Sequence, residues 1–229
     1  MHPQPARITL YSGPLSMFGA KVQIAALEKG LDFDLVMVAY DSHLGYTPKH
    51  PAVLRINPKG QVPVLVHGGL AIFDSTQIFE YLEDLKPSPA LWPRDIVDRA
   101  RARQLEHQSD EVYFPHILRL MGLQTNLSDA LAVSSIEAAT AYYSDMERLL
   151  TPGRWLAGSY SFADIAFYMA SLFGERQSAP ITAATPKLLE WRDRMTERPA
   201  VSRVVSAMAD WLQAAGRPVP AFMNPAGSS

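Results

Sequence analysis

A change of pattern near residue 86 constrains this chain more than any other feature. Before it, short β-rich runs alternate with helix-like stretches; after it, only helical periodicity remains. Arg7-Ile8-Thr9-Leu10-Tyr11 is a β-rich run closed by Ser12-Gly13-Pro14. A helix is predicted from Ser16 to Lys29, with Val22, Ile24, Ala25 and Leu27 on its buried side and Gly30 stopping it. Phe33 to Val38 reads as a second strand, so the chain opens with a βαβ unit and a parallel strand pair. From Asp41 to Pro58, a stretch holding Pro48 and Pro51, no period is visible, and a loop with one short helix is expected. Pro63 to Val66 and Leu70 to Phe73 read as strands joined by the turn signal His67-Gly68-Gly69. A helix from Ser75 to Leu85 follows, giving βαβ, loop, ββα.

Pro87, Pro89 and Pro93 mark a linker. The expected division is an α/β domain over 1–86, a linker over 87–93 and an all-helical domain over 94–229. Helices are predicted over Ile96–Met121, Ser134–Leu150, Phe162–Phe173, Lys187–Met195 and Val201–Ala214. Pro115 must kink or interrupt the first of them. Gly216 to Ser229 reads as a loosely attached tail.

Charge and composition exclude several classes of function. A formal net charge of −2 offers no electrostatic basis for binding nucleic acid or an anionic membrane. No apolar run approaches the ~20 residues that span a bilayer. Met1 to Arg7 has no apolar core of a secretion signal, so a cytoplasmic protein is expected. Cysteine is absent, which removes disulfides, thiolate metal sites and any cysteine nucleophile; no metal centre is expected. Sulfur chemistry would need a thiol brought in by a cofactor.

Three segments carry the functional signal. In Asn57-Pro58-Lys59-Gly60-Gln61-Val62-Pro63, a proline opens a strand, a position suited to a cis bond or simply to a sheet edge. A cis Val62–Pro63 bond would turn the Val62 backbone outward, where an extended peptide can pair with it. Phe73-Asp74-Ser75-Thr76-Gln77-Ile78 begins a helix: Asp74 suits the N-cap, Gln77 the return bond of a capping box, and Phe73 with Ile78 a hydrophobic staple. The same helix start, with the Ser75 hydroxyl and free N–H groups, also suits a carboxylate, while Asp74 suits an ammonium. Ser16-Met17-Phe18-Gly19 begins the first helix; Ser16 there is either a plain N-cap or a donor to a thiolate favoured by the helix dipole.

In this order and spacing, the three segments resemble the cytosolic glutathione transferase family. Ser16, six residues before Val22 in Lys21-Val22-Gln23-Ile24-Ala25, is similar to the catalytic serine of the tau, theta and zeta classes. Asn57 to Pro63 matches the family's cis-proline segment, and Asp74-Ser75 its acidic-serine pair. Trp155-Leu156-Ala157-Gly158 followed by Ser161-Phe162-Ala163-Asp164 resembles the family's folding motif, with Ser161 and Asp164 as a capping box and Tyr160 stapled to Ile165. Lys187 to Trp191 and Arg198 to Val201 resemble its carboxyl-terminal end, so the likeness runs from about Ile8 to Trp211.

The resemblance implies a thioredoxin-like first domain, with Ser16 standing where that fold often carries a cysteine pair. It implies glutathione as co-substrate, a small hydrophobic electrophile as second substrate, and a homodimer that detoxifies such electrophiles. Residue by residue, it implies Ser16 at the sulfur, Val62 and Pro63 at the cysteinyl backbone, and Gln61 near the glycyl end. Asp74 and Ser75 would hold the γ-glutamyl group, and Lys49, or His50 in another register, the glycine carboxylate. Tyr11 and Ser12 are rivals to Ser16; Tyr11 is expected to pack at the domain interface. Asp110 or Glu111 would reach the partner subunit's glutathione amine. Tyr113, Phe114, His116, Ile117 and Met121 are candidates to line the electrophile pocket. A glutathione-dependent lyase, dehalogenase or isomerase, or a non-catalytic glutathione-binding module, would share the same motifs.

Overall fold

A computed structural model of the chain describes residues 7–41, 44–47, 49–151 and 154–223. The first six residues, on which the reading of the amino terminus rests, and the last six of the expected tail lie outside the described residues. So do three positions of the loop between 41 and 58.

Strands β1 (Ile8–Ser12), β2 (Phe33–Met37), β3 (Val64–His67) and β4 (Leu70–Phe73) form one mixed sheet in the order β2-β1-β3-β4. β1 and β2 are parallel, while β1–β3 and β3–β4 are antiparallel. Period-two alternation sends side chains to opposite faces. Ile8, Leu10 and Leu65 pack under helices α1 (Met17–Glu28) and α3 (Ser75–Leu85), against Val22, Ala26, Ile78 and Leu82. Val64 packs on the other face with Val38 and with Val53 of the short helix α2 (Pro51–Ile56). Gly30, at φ +59°, lets the chain leave α1 in the left-handed region that closes helices.

The linker is pinned. Lys29, fully buried, donates to Glu83 at 2.6 Å and to the Pro89 carbonyl at 2.9 Å. Glu83 in turn accepts from the Leu91 and Trp92 amides. Phe79 of α3 stacks on Phe162 at 3.7 Å, with Trp92 edge-on to both, so one aromatic cluster joins the two halves.

The second half is helical: α4 (Ile96–Gln108), α5 (Phe114–Gly122), α6 (Ala130–Leu149), α7 (Phe162–Arg176), α8 (Pro186–Thr196) and α9 (Pro199–Ala214). Its core is α7, buried from Phe162 to Gly174. The expected interruption of the first long helix near Pro115 takes the form of a π-turn. Residues Ser109–Tyr113 widen into a π-turn, with the Phe114 amide reaching back to the Ser109 carbonyl, and Pro115 then sits in the first turn of α5. The wider turn accommodates a ring that would otherwise meet the carbonyl four residues back. α6 begins four residues earlier than the periodicity suggests, because Asp129 caps it through the Leu131 amide at 2.8 Å.

Ser161 and Asp164 form the expected capping box at the start of α7. Asp164 also accepts from the Leu156 amide at 3.0 Å and from the Trp191 indole at 2.9 Å, which makes it a structural hub. Burial pushes its carboxyl up to about 6 against those hydrogen bonds. Tyr160 packs on Trp155 and donates to Glu28, which Arg198 also grips with two bonds at 2.8 Å. The expected loose tail is corrected as far as it is described: residues after α9 turn back, and Met223 is buried in the helical core. No helix among the described residues is long and apolar enough to cross a membrane.

Candidate functional site: two clefts sharing a wall

A polar cleft of about 320 Å³ lies between the start of β3, the start of α3 and the face of α4. Gln61, Val62, Pro63, Asp74 and Ser75 line it, and the Val62–Pro63 bond is cis. Asp74 holds a positive φ of 77°, a strained backbone for a residue with a side chain, of the sort that clusters at functional sites. That geometry aims its carboxylate at the Thr76 and Gln77 amides, at 3.1 and 3.2 Å. The fuller cap does not form: the Gln77 side chain makes no return bond, and Phe73 stays 37% exposed rather than stapling onto Ile78. Ser75, the first residue of α3, is buried at the cleft floor.

The α4 side adds a charged cluster of which the sequence reading named Asp110 but missed Lys21 and Glu106. Lys21 of α1 is fully buried, with Nζ 2.9 Å from Glu106 and 2.5 Å from Asp110. Glu106 also accepts from the Thr76 hydroxyl at 2.6 Å. Glu106 and Asp110 are four residues apart and share a helix face. Burial alone would lower the Lys21 pKa; the two carboxylates outweigh it and raise it. Asp110 is pushed up to about 6, by burial first, with Lys21 opposing and Glu106 assisting. Its Oδ1 is buried without a hydrogen-bond partner. Asp110 and Glu111 therefore face the cleft of their own chain, together with His107.

An apolar pocket of about 260 Å³ adjoins it, and Phe18, Gln61 and Val62 line both. Ser16 belongs to this pocket. It is the N-cap of α1, 7% exposed, and its Oγ accepts from the Gly19 amide at 2.9 Å. Position 19 must be glycine, since a Cβ there would stand 2.9 Å from that oxygen and 2.1 Å from the Ser12 Oγ. With a lone pair spent on Gly19, the Ser16 O–H is left to donate.

The rivals point elsewhere. Ser12 is fully buried and accepts from Gln23 at 2.8 Å. Tyr11 packs in the cluster under α2, its ring 5.2 Å from His50, and not at the domain interface. Lys49 and His50 both reach the apolar pocket. Lys49 donates to the Gly60 carbonyl at 2.7 Å, and His50 caps α2 by accepting the Ala52 amide at 3.2 Å.

Of the candidate lining residues, Phe114 and Met121 face the pocket, with Leu118 and Phe173 beside them. Tyr113 and Ile117 are instead fully buried in the helical core. His116 stands against Arg119 and does not line the pocket. The arrangement offers a continuous path, acidic and rich in helix-start amides at one end, apolar and aromatic at the other, with a hydroxyl where the two meet.

Residues 10–90 match the family model "Glutathione S-transferase, N-terminal domain", and residues 129–206 match "Glutathione S-transferase, C-terminal domain". Glutathione S-transferase 1 of Dianthus caryophyllus is 38% identical over 117 residues; the match spans 51% of this chain and 50% of that protein, about half its length. Glutathione S-transferase Z2 of Arabidopsis thaliana is 32% identical over 176 residues, 73% of this chain and 74% of that one. Among solved structures, the glutathione S-transferase of Methylobacterium radiotolerans, in complex with glutathione sulfonate, superposes with a TM-score of 0.73 at 26% identity, covering 86% of this chain and 94% of that one. By its sequence and its fold, this chain belongs to the glutathione S-transferase family.

Proposed function

We propose that the protein is a glutathione transferase of the catalytic-serine type, which binds glutathione as a thiolate and delivers it to a small hydrophobic electrophile. The observation that carries this reading is the unpartnered Asp110 oxygen beside Asp74 and the amide-rich start of α3. A neighbouring carboxylate and helix start suit the ammonium and carboxylate that one γ-glutamyl carbon carries. With that group in the polar cleft and the cysteinyl backbone at Val62, the sulfur falls at the shared wall, beside Ser16. Lys49 or His50 then meets the glycine carboxylate, with Gln61 near it.

In this proposal residues 1–86 bind the thiol and residues 94–229 supply most of the wall against which the electrophile rests. A homodimer belongs to it: the edge strand β4 carries exposed Leu70 and Phe73, and Ile96 and Val97 stand exposed at the start of α4. Retention on immobilised glutathione together with turnover of an aryl halide is the expected result. Retention without turnover of any electrophile would favour a binding module of the same fold; no retention sinks both readings.

Ser75→Ala is expected to raise the glutathione KM roughly 5- to 30-fold, from ~1–2 kcal/mol of lost hydrogen bonding, with little change in kcat. The γ-glutamyl carboxylate is equally charged in the ground and transition states, so its contacts act on binding alone. A variant with unchanged KM would place that group elsewhere.

The pH dependence tests Asp110. A carboxyl raised to about 6 is charged at neutral pH and loses its charge as pH falls through that value. Glutathione affinity is therefore expected to drop on the acid side of about 6, and Asp110→Asn should weaken binding at neutral pH and flatten that limb. Calorimetric titration from about pH 5 to 8 reads both effects. An acid limb that survives in Asp110→Asn would assign the ammonium to Asp74 alone.

A further inference from the structure

A third cavity lies among the end of α7, α8 and the segment following α9. Its volume is about 610 Å³, more than twice that of the apolar pocket. Organic-ligand pockets span ~300–1,000 Å³. One wall is the chain from Arg217 to Phe222, folded back after α9. Phe222 is held under the Arg192 guanidinium at 4.5 Å, and Met223 anchors the turn in the core.

The facing wall carries an uneven charge. Glu175, Arg176 and Arg192 line it. Glu175 is matched by Arg192 at 2.8 Å. Among the described residues no carboxylate matches Arg176: its Nε is buried without a hydrogen-bond partner, and its guanidinium rests on the Phe173 ring at 5.3 Å. Arg176 ends α7, whose terminal partial charge of about half a unit offsets only part of its own. Burial first, and the like charge of Arg217 second, push this guanidinium below its ordinary value. Desolvating a cation without an acceptor is costly, and an oxyanion in the cavity would remove that cost.

We propose that this cavity is a second binding site, for a small organic molecule whose phosphate or carboxylate head sits on Arg176 and whose apolar body lies against Val219 and Phe222. The site shares no lining residue with the polar cleft, so it stands or falls independently of the glutathione reading.

Titration calorimetry of the full chain with phenyl phosphate, benzoate and benzyl alcohol tests it. At least one of the two anions should bind, with benzyl alcohol weaker by roughly 10-fold or more, the loss of a charge-assisted hydrogen bond. Whichever anion binds more tightly identifies the head group. Arg176→Met should weaken anion binding by a similar factor, while glutathione neither displaces the anion nor changes its own affinity. Should Arg176→Met fail to fold, Arg176→Lys keeps the charge, loses the planar fork and should bind more weakly than wild type. Absence of binding by both anions, equal binding in the variant, or displacement by glutathione would each overturn the site.

Discussion

Replacing Lys21 with methionine is expected to destabilise the fold by about 3–5 kcal/mol at neutral pH, although the two side chains are close in size. Lys21 is fully buried, and its removal leaves Glu106 and Asp110 facing each other without a cation. Thr76 still donates to Glu106, but Asp110 already has one oxygen without a partner. The sign of the pH dependence follows. Without Lys21, the Asp110 carboxyl is raised further above its unfolded value, so the folded chain holds more protons than the unfolded one. The deficit should be greatest above neutrality and shrink as pH falls toward 5, when Asp110 protonates in the fold. Lys21's own titration plays no part there. Its folded pKa lies above 10.5, so its stabilisation is complete below that value and fades only at higher pH. Urea midpoints at several pH values read the effect. A triple variant that also carries Glu106→Gln and Asp110→Asn should recover much of the loss, because the cost lies in the stranded charges. A Lys21→Met protein as stable as wild type at every pH would mean that water reaches the two carboxylates.

The buried cluster shows what sequence alone leaves unread. Periodicity assigns apolar positions to the inside of α1, and a lysine between Ala20 and Val22 looks like a solvated face. Its partners lie 85 and 89 residues away, beyond any local pattern. α1 is enclosed by the sheet, α7 and α9, so it is buried nearly all round, with Lys21 and Gln23 inside. The strand positions, the α3 boundaries, the cis proline and the α7 capping box were legible because each rests on neighbours within a few residues. The electrophile pocket was half legible for a specific reason. The π-turn at Ser109–Tyr113 adds a residue to one turn and so rotates everything after it by about 100°. That shift turns Phe114, Leu118 and Met121 toward the pocket and Ile117 into the core, where Tyr113 of the turn itself also lies. The strap after α9 was unread because prolines and glycine signal a tail, while its anchors are the few apolar side chains of Val219, Phe222 and Met223.

Ser16→Ala is expected to slow conjugation roughly 10- to 150-fold near neutral pH, the loss of one hydrogen bond of ~1.5–3 kcal/mol to a charged sulfur. A free thiol of pKa ~8.5 is only about 3% ionised at pH 7. Lowering that value by ~2 units makes it mostly thiolate and needs about 2.7 kcal/mol of differential stabilisation. One hydroxyl donor and the amino-terminal end of α1 together supply that amount. Ser16 is placed for it: its oxygen already accepts from Gly19, so the hydroxyl proton is directed away from the helix. Because the defect is one of ionisation, it should diminish as pH rises toward the free thiol's pKa. Glutathione affinity should change little, since the proposed binding contacts lie at Val62, Asp74, Ser75 and Asp110. Losing the N-cap also costs ~1 kcal/mol of stability, so Ser16→Thr, which keeps both hydroxyl and cap, is the control that separates folding from chemistry. The ultraviolet absorbance of bound thiolate gives its pKa directly in each protein. That pKa should rise in Ser16→Ala and stay in place in Ser12→Ala and Tyr11→Phe, whose side chains are engaged by Gln23 and packed beside His50. A pKa that moves with Tyr11 or Ser12 and not with Ser16 would transfer the sulfur to the end of β1 and remove Ser16 from the reaction.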